Sequence, residues 1–185
     1  VANALTTPSG KIEIFSGKLL EDTDGWKLTE GDTLKGMDTL PAIPAYIPEW
    51  EGVETTTEEH PLILTGFHYR GRIHSSWGSI PELKEVNPQE AWINPADAEP
   101  RGIKHGDTVH IENARGKIEM LAKVTPRVVP GTVAVSQGAW WDGDIKSGKD
   151  GVDKGGSINT LTTQRPSPLA KGNPQHTNIC NVKKA

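Results

Sequence analysis

A single cysteine, Cys180, stands in a chain of 185 residues. One thiol excludes an internal disulfide and any cysteine-rich zinc or iron–sulfur site within these residues, and its place near the C-terminus suits an inert packing role. Long hydrophobic runs are missing too. No window approaches the roughly 20 apolar residues of a membrane span, so direct membrane insertion is not expected. Val1 to Leu5 has neither the basic start nor the apolar core of a signal peptide. Apolar residues make up only 34 %, against 20 glycines and 14 prolines, a balance that favours turns and short strands over long helices. The net charge of -4 gives no basic surface for nucleic acid or membrane headgroups. The chain does not begin with Met, and the expectation is a piece cut from a longer protein.

Several catalytic signatures are absent as well. There is no G-x-S-x-G elbow to place Ser75 or Ser76 beside His74 and an Asp such as Asp97 or Asp142. His68, His74 and His176 match no compact zinc spacing, and neither a P-loop nor a G-x-G-x-x-G fingerprint occurs.

The stretch with most chemistry is Leu62 to Trp77, LILTGFHYRGRIHSSW. Leu62 to Thr65 reads as a short buried strand, and the pattern stops at Gly66. His68, Arg70, Arg72, His74 and Ser75 follow, with Gly66 and Gly71 among them. Arginine forks bind phosphate or carboxylate oxygens, while glycines let backbone N–H groups approach such a ligand. This points to an anion site at a strand end, against the alternative of a solvated basic loop.

Two regions are expected. Residues 1–57 read as an extended arm, with a strand at Lys11–Phe15 that puts Ile12 and Ile14 on one face, then a run rich in Gly, Asp and Thr, then the prolines 41, 44 and 48. The acidic Glu51, Glu54, Glu58 and Glu59 read as a solvated face. Residues 58–185 read as a mainly β domain with short helices. Pro81–Val86 has a turn or two of helix; Asn94 caps a second short helix with Pro95 at its first position, ending at Gly102. Val109, Ile111, Ile118, Met120, Ala122 and Val124 alternate with polar residues across Asn113–Gly116, a hairpin signature. Thr132–Ser136 and Ile179–Val182 complete the strands, which favour a barrel over a sandwich. Trp140 and Trp141 are expected in the core.

From Lys154 onward the chain carries no Asp or Glu, and Gly155–Thr162 and Gly172–His176 are rich in amides and hydroxyls. Such groups suit the edge of a polar heterocycle. Together with the arginines they fit a large phosphate-bearing heterocyclic ligand such as a dinucleotide, gripped by separate loops.

In order and spacing, Leu62-Ile-Leu-Thr-Gly66, Arg72-Ile-His-Ser75, Trp92-Ile-Asn-Pro-Ala-Asp-Ala98, Arg101-Gly-Ile103, Gly106-Asp-Thr-Val109 and Asn113-Ala-Arg-Gly116 resemble the C-terminal dinucleotide-binding domain of the molybdopterin oxidoreductases. Asn159-Thr-Leu-Thr162, Ser167-Pro168, Gly172-Asn-Pro-Gln-His-Thr-Asn178 and Thr7-Pro-Ser-Gly-Lys-Ile-Glu13 are similar to the anaerobic dimethyl sulfoxide reductase catalytic-subunit group. The resemblance implies a double-psi β-barrel that binds bis-molybdopterin guanine dinucleotide. Thr65, Gly66, Arg72, His74 and Ser75, with His68 and Arg70 in the same loop, would line the cofactor. Asn94 and Asp97 would face a guanine, and Asn159 and Gln175 a pterin or its pyran ring. On this basis Arg72, Asn94, Asn159 and Gln175 are expected on one side of the closed sheet.

The resemblance places the molybdenum ligand and the iron–sulfur cysteines in parts of such an enzyme that precede these residues. The fragment alone is therefore expected to be inactive, with no catalytic or metal-ligating residue of its own. It also implies oxygen-atom transfer in anaerobic respiration, with the remaining domains, an iron–sulfur electron-transfer subunit and a membrane anchor subunit as partners. Location on the periplasmic side of the membrane, after export in folded form, is implied likewise. The alternative is a free-standing β-barrel interaction module that binds protein through its basic tail and Trp140-Trp141. The length of the native reading frame separates the two.

Overall fold

Alternation of apolar and polar residues, period two, is what builds this molecule. The structure, a computed structural model, describes residues 4–23, 40–46, 48–165, 167, 172–173 and 175–185, the side chains of 149–150 excepted. The Gly/Asp/Thr-rich run, Pro168 and Pro174 lie outside the described residues. The chain divides into two units, Val1–Trp50 and Glu51–Ala185.

In the first unit a short helix, α1 (Gly17–Asp22), begins at Ser16, whose side chain accepts from the Leu19 N–H. The expected strand at Lys11–Phe15 is not formed; Ile12 and Ile14 are both exposed. A strand needs a neighbour for its backbone groups, and no described residue pairs with this one.

In the second unit the strands are β1 (Leu62–Phe67), β2 (Glu90–Ile93), β3 (Thr108–Asn113), β4 (Gly116–Val124), β5 (Thr132–Ser136), β6 (Val152–Asp153) and β7 (Asn178–Lys184). Their order is β2-β5-β1-β7-β3-β4, and β4 pairs back to β2, which closes a six-stranded barrel; β6 adds to β4. Closure leaves none of the six with a free edge. β1 runs parallel to β5 and antiparallel to β7. The β3–β4 hairpin turns through Ala114-Arg115, with Ile111 opposite Ile118 and Asn113 opposite Gly116, as its sequence anticipates.

The inward residues Leu64, Ile93, Val109, Ile111, Ile118, Val133, Val135 and Val182 are fully buried, and Ile158 and Leu161 join the same core. Each such side chain contributes about 1.5–3 kcal/mol, so Ile111→Ala is expected to cost about 2–5 kcal/mol. Cys180 lies within this core, and burial pushes its thiol far above the usual range, consistent with packing.

Helix α2 covers Pro81–Val86, and α3 (Pro95–Ala98) runs on through a 3-10 turn, Glu99–Arg101, to Gly102 at φ 64°. Asn94 caps α3 as its sequence predicts. Three expectations are corrected. β1 continues through Gly66 and Phe67, which pair with Val135 and Ser136. Glu51 is not solvated: its carboxylate takes a bidentate pair from Arg115 at 2.5 and 2.7 Å and accepts from the Ile179 N–H at 2.9 Å. Trp140 and Trp141 are half exposed rather than in the core.

Candidate functional site

The barrel has two ends, and strand direction decides which loops meet at each. β1 and β5 finish side by side at Phe67 and Ser136. β2 runs antiparallel to β5, with Ala91 opposite Val135, so β2 starts at that same end. β7 starts there as well, with Asn178 opposite Leu64. The loops 68–80, 137–144 and 154–165 and the residues before β7 are thereby gathered around one rim.

Arg72 is a tightly held cation on this rim. Its Nε donates to the Gln137 carbonyl at 3.0 Å, and Nη2 donates to Gln89 Oε1 at 2.6 Å and Ser136 Oγ at 2.9 Å. The Tyr69 ring lies beneath it, 4.8 Å from the guanidinium carbon. Of its five N–H donors, the two on Nη1 meet no partner among the described residues. Half-burial lowers its pKa from the ordinary arginine value, while Tyr69 pulls it back up; the group still stays cationic at any physiological pH. A fixed fork with one open edge is a receptor for an anionic oxygen. Arg72 and Gln89 line a cleft of about 530 Å³ together with Lys84, Asn87, Trp140 and Lys154.

Beside it, Gln137 joins two other elements. Its amide donates to His74 Nδ1 at 3.1 Å, and its Oε1 accepts from Gln175 Nε2 at 2.7 Å. His68 and His74 meet edge to face at 5.3 Å, and His176 Nδ1 donates to the Gly66 carbonyl at 2.8 Å. A Cβ at Gly66 would sit 2.6 Å from Gln175 Nε2. The glycine in β1 is thus a seat for the Gln175 amide rather than a strand stop. His74 and Trp77 both adopt positive φ, 49° and 65°, a conformation that non-glycine residues hold only when their surroundings enforce it. Gly138 at φ 86° lies against the His74 carbonyl, and the Ser75 carbonyl accepts from Trp140 Nε1 at 2.7 Å.

The sequence-predicted residues divide as follows. Thr65, Gly66, His68, Arg70, Arg72, His74, Ser75 and Gln175 come together on this rim, with His68, Arg70, His74 and Ser75 exposed and Thr65 and Gln175 half-buried. Asn159 is exposed in the 3-10 turn Ile158–Thr160 and borders a second cleft of about 830 Å³ with Arg115, Thr162 and Arg165. That turn belongs to the same end, since the Asn178 side chain accepts from the Thr163 N–H at 2.7 Å.

Asn94 and Asp97 are not brought there. They follow β2 and stand at the opposite end, where β5 begins. Asn94 Oδ1 accepts from the Ala96 N–H at 2.9 Å and its Nδ2 donates to the Val128 carbonyl at 2.7 Å; Asp97 Oδ2 accepts from the Gly131 N–H at 2.8 Å. The expected convergence of Arg72, Asn94, Asn159 and Gln175 on one side is corrected: because β2 is antiparallel to β5, Asn94 emerges at the far rim.

Sequence reasoning missed Gln89, Gln137 and Asp153. The buried Asp153 carboxylate accepts from the N–H groups of Asp142, Gly155 and Ser157 at 2.8–2.9 Å and so shapes the loop that carries Trp140 and Asn159. Its Asp-x-Gly-Gly-Ser context, an acid followed by small turn residues, is the one local signal available. Among the described residues no group of three or more His, Cys, Asp or Glu is placed to hold a metal ion, and no helix is long and apolar enough to cross a membrane.

Residues 62–179 match the family described as the Molydopterin dinucleotide binding domain. The chain is 53 % identical over 184 residues to the dimethyl sulfoxide reductase DmsA of Escherichia coli (strain K12), covering 99 % of this chain and 21 % of that protein. It is 50 % identical over 184 residues to the protein of the same name from Haemophilus influenzae, with 99 % and 22 % covered. Identity to the dimethyl sulfoxide/trimethylamine N-oxide reductase of Cereibacter sphaeroides is 34 % over 186 residues, covering 98 % and 21 %. The chain therefore spans about a fifth of the length of these relatives. Among solved structures, acetylene hydratase from Pelobacter acetylenicus shares the fold, with a TM-score of 0.65 at 20 % identity over 99 % of this chain and 24 % of that one.

Proposed function

The chain belongs to the Molydopterin dinucleotide binding domain family, and from that premise we propose that it holds the guanine dinucleotide form of the cofactor, two copies per molybdenum, within the catalytic subunit of a dimethyl sulfoxide or N-oxide reductase. Relatives with that printed activity, at 50–53 % identity over 99 % of the chain, support the substrate class. The observation that carries the reading is the rim built around Arg72, whose fork is fixed on three acceptors with Nη1 facing no partner among the described residues.

The residues fit such a group. A dinucleotide offers phosphate oxygens and heterocycle edges, and this rim offers one oriented guanidinium, exposed Arg70, His68 and His74, and the amides of Asn159 and Gln175. In this proposal Arg72 and Arg70 take phosphate oxygens. His74, Ser75, Asn159 and Gln175 take ring edges, and Gly66 lets Gln175 lie against the backbone. Asn94 and Asp97 hold the far rim together and make no ligand contact. When bound, the molybdenum cofactor supplies oxygen-atom transfer, reducing a sulfoxide or N-oxide to a sulfide or amine. The protein's part at this rim is to bind, orient and screen.

The barrel is read as the double-psi type. The exposed Trp77, Trp140 and Trp141 face the remaining domains, since aromatic surface of this kind marks contact sites. An iron–sulfur subunit, which brings electrons for anaerobic respiration, and a membrane anchor subunit on the periplasmic side complete the assembly. The test is to purify the product of the complete reading frame and release its nucleotide by acid hydrolysis. Two GMP per molybdenum, with reduction of dimethyl sulfoxide or trimethylamine N-oxide by a viologen donor, is the expected result. Another nucleotide, a 1:1 ratio or no reduction overturns it.

A further inference from the structure

Gln89 precedes β2 and makes four side-chain hydrogen bonds on the rim. Its Oε1 accepts from Arg72 Nη2 at 2.6 Å and from Ser136 Oγ at 2.6 Å, while its Nε2 donates to the carbonyls of Ser136 at 2.8 Å and Gly156 at 3.0 Å. A Cβ at Gly156 would come within 2.9 Å of Gln89 Cγ, and Gly156 itself has φ 70°. The glycine therefore makes room for this side chain and for Met120, whose Cε would lie equally close. Through a single side chain, the loop after β1, the end of β5 and the turn that leads to Asn159 are tied to the strand that starts between them.

This arrangement has a consequence for Arg72. An arginine held only by its ring neighbour and one backbone carbonyl keeps much of its rotamer freedom, and a ligand must then offset the ordering cost. With Nη2 doubly bonded to Gln89 and Ser136, the fork is fixed before any ligand arrives and Nη1 is the edge left to offer. Resting on the reading of this rim as the cofactor site, we propose that Gln89 is a positioning residue. It orders the Arg72 guanidinium so that its Nη1 edge meets a phosphate oxygen of the dinucleotide, and it keeps the three loops in register around that contact. Asparagine is one methylene too short to span Arg72 and Gly156 together, and glutamate lacks the N–H groups that the Ser136 and Gly156 carbonyls require.

The experiment uses the enzyme made from the complete reading frame, freed of its cofactor, and guanosine diphosphate as probe, with affinity read by calorimetry below the melting transition. Gln89→Met keeps the volume packed on Gly156 but removes every hydrogen bond; Gln89→Ala is the second variant should Met prove poorly folded. Arg72→Ala is expected to weaken binding at least about tenfold, as loss of a charge-assisted contact does, and Gln89→Met about fivefold. In the Arg72→Ala background, Gln89→Met should have no further effect. A purely structural glutamine would instead impose the same penalty in both backgrounds, and that result overturns the inference. So does native affinity in both Gln89 variants while Arg72→Ala is impaired. If Arg72→Ala binds like the unaltered enzyme, or if that enzyme binds no guanosine diphosphate, the cofactor-site reading itself fails.

Discussion

The two rims of this barrel carry the same kinds of side chain and use them oppositely. At the far rim, Asn94 and Asp97 spend their polar atoms on the N–H groups of Ala96 and Gly131 and the carbonyl of Val128. At the near rim, Arg72 is fixed by three acceptors yet keeps Nη1 without a partner among the described residues. The near rim also holds both non-glycine residues with positive φ among the described residues, His74 and Trp77. Arg115 repeats the lesson within the near rim. Its Nε donates to the Leu161 carbonyl and its two terminal nitrogens bind Glu51, so it serves as a brace although it borders a cleft. Residue type and proximity do not mark a ligand site; hydrogen-bonding capacity left over after the fold is satisfied does.

That contrast can be broken at defined places. Gly138→Ala should do most harm, because a Cβ there would lie 1.8 Å from the His74 carbonyl oxygen at a backbone φ of 86°. A loss of at least about 2 kcal/mol is expected, read as a fall in melting temperature of roughly 4–8 °C; a neutral variant would mean that the near rim is not built on this contact. Asp97→Ala strips the Gly131 N–H of its acceptor and should cost about 1–3 kcal/mol, with guanosine diphosphate affinity unchanged in the folded protein. Reduced affinity at unchanged stability would move the ligand to the far rim.

Gly66→Ala should act the other way round. The new methyl meets the far end of the Gln175 side chain at 2.6 Å and Ile158 Cδ1 at 3.3 Å, contacts that side-chain rotation relieves, so melting should shift by less than about 2 °C, within the usual range for changes the fold can absorb. Molybdenum content of the enzyme made from the complete reading frame should nevertheless fall several-fold; full retention would remove Gln175 from the site.

The smallest effect belongs to the barrel wall between the rims. The Lys183 hydrogen bond, with help from Lys117, holds Glu112 below its ordinary value near 4.5 against the opposing effect of burial. A depressed carboxyl stabilises the fold above its unfolded value, and that contribution fades as pH drops through the lower folded value. Glu112→Gln should therefore flatten the acid side of the stability profile below pH 4.5, by under about 1 kcal/mol since Lys183 is largely exposed, and leave ligand affinity untouched. An unchanged acid limb in urea melts would contradict the assignment.

Much of the barrel was legible because its signals are local. The β3–β4 hairpin follows from alternation on either side of a two-residue turn, and α3 from Asn94-Pro95 at its start and Gly102 at its end. The Arg72–Ser75 loop stood out by composition, and the structure gathers it with Gln175. What could not be read depends on partners far along the chain. Glu51 looks like one more acid in a solvated run until Arg115, 64 residues away, closes on it. Gln89 carries no motif; its meaning comes from Arg72, Ser136 and Gly156. Asn94 reads as a cap or as a ligand, since both uses want an exposed oxygen after a strand, and Asp97 follows it on the same turn. Only the antiparallel register of β2 against β5 separates the two.

The most direct measurement is a map of amide and arginine Nε resonances of the chain titrated with guanosine diphosphate. The account predicts shifts centred on Arg72, His74, Ser75 and Gln137, with Asn94 to Arg101 unmoved; shifts centred on Asn94 to Arg101, with the Arg72 Nε signal unmoved, would contradict it.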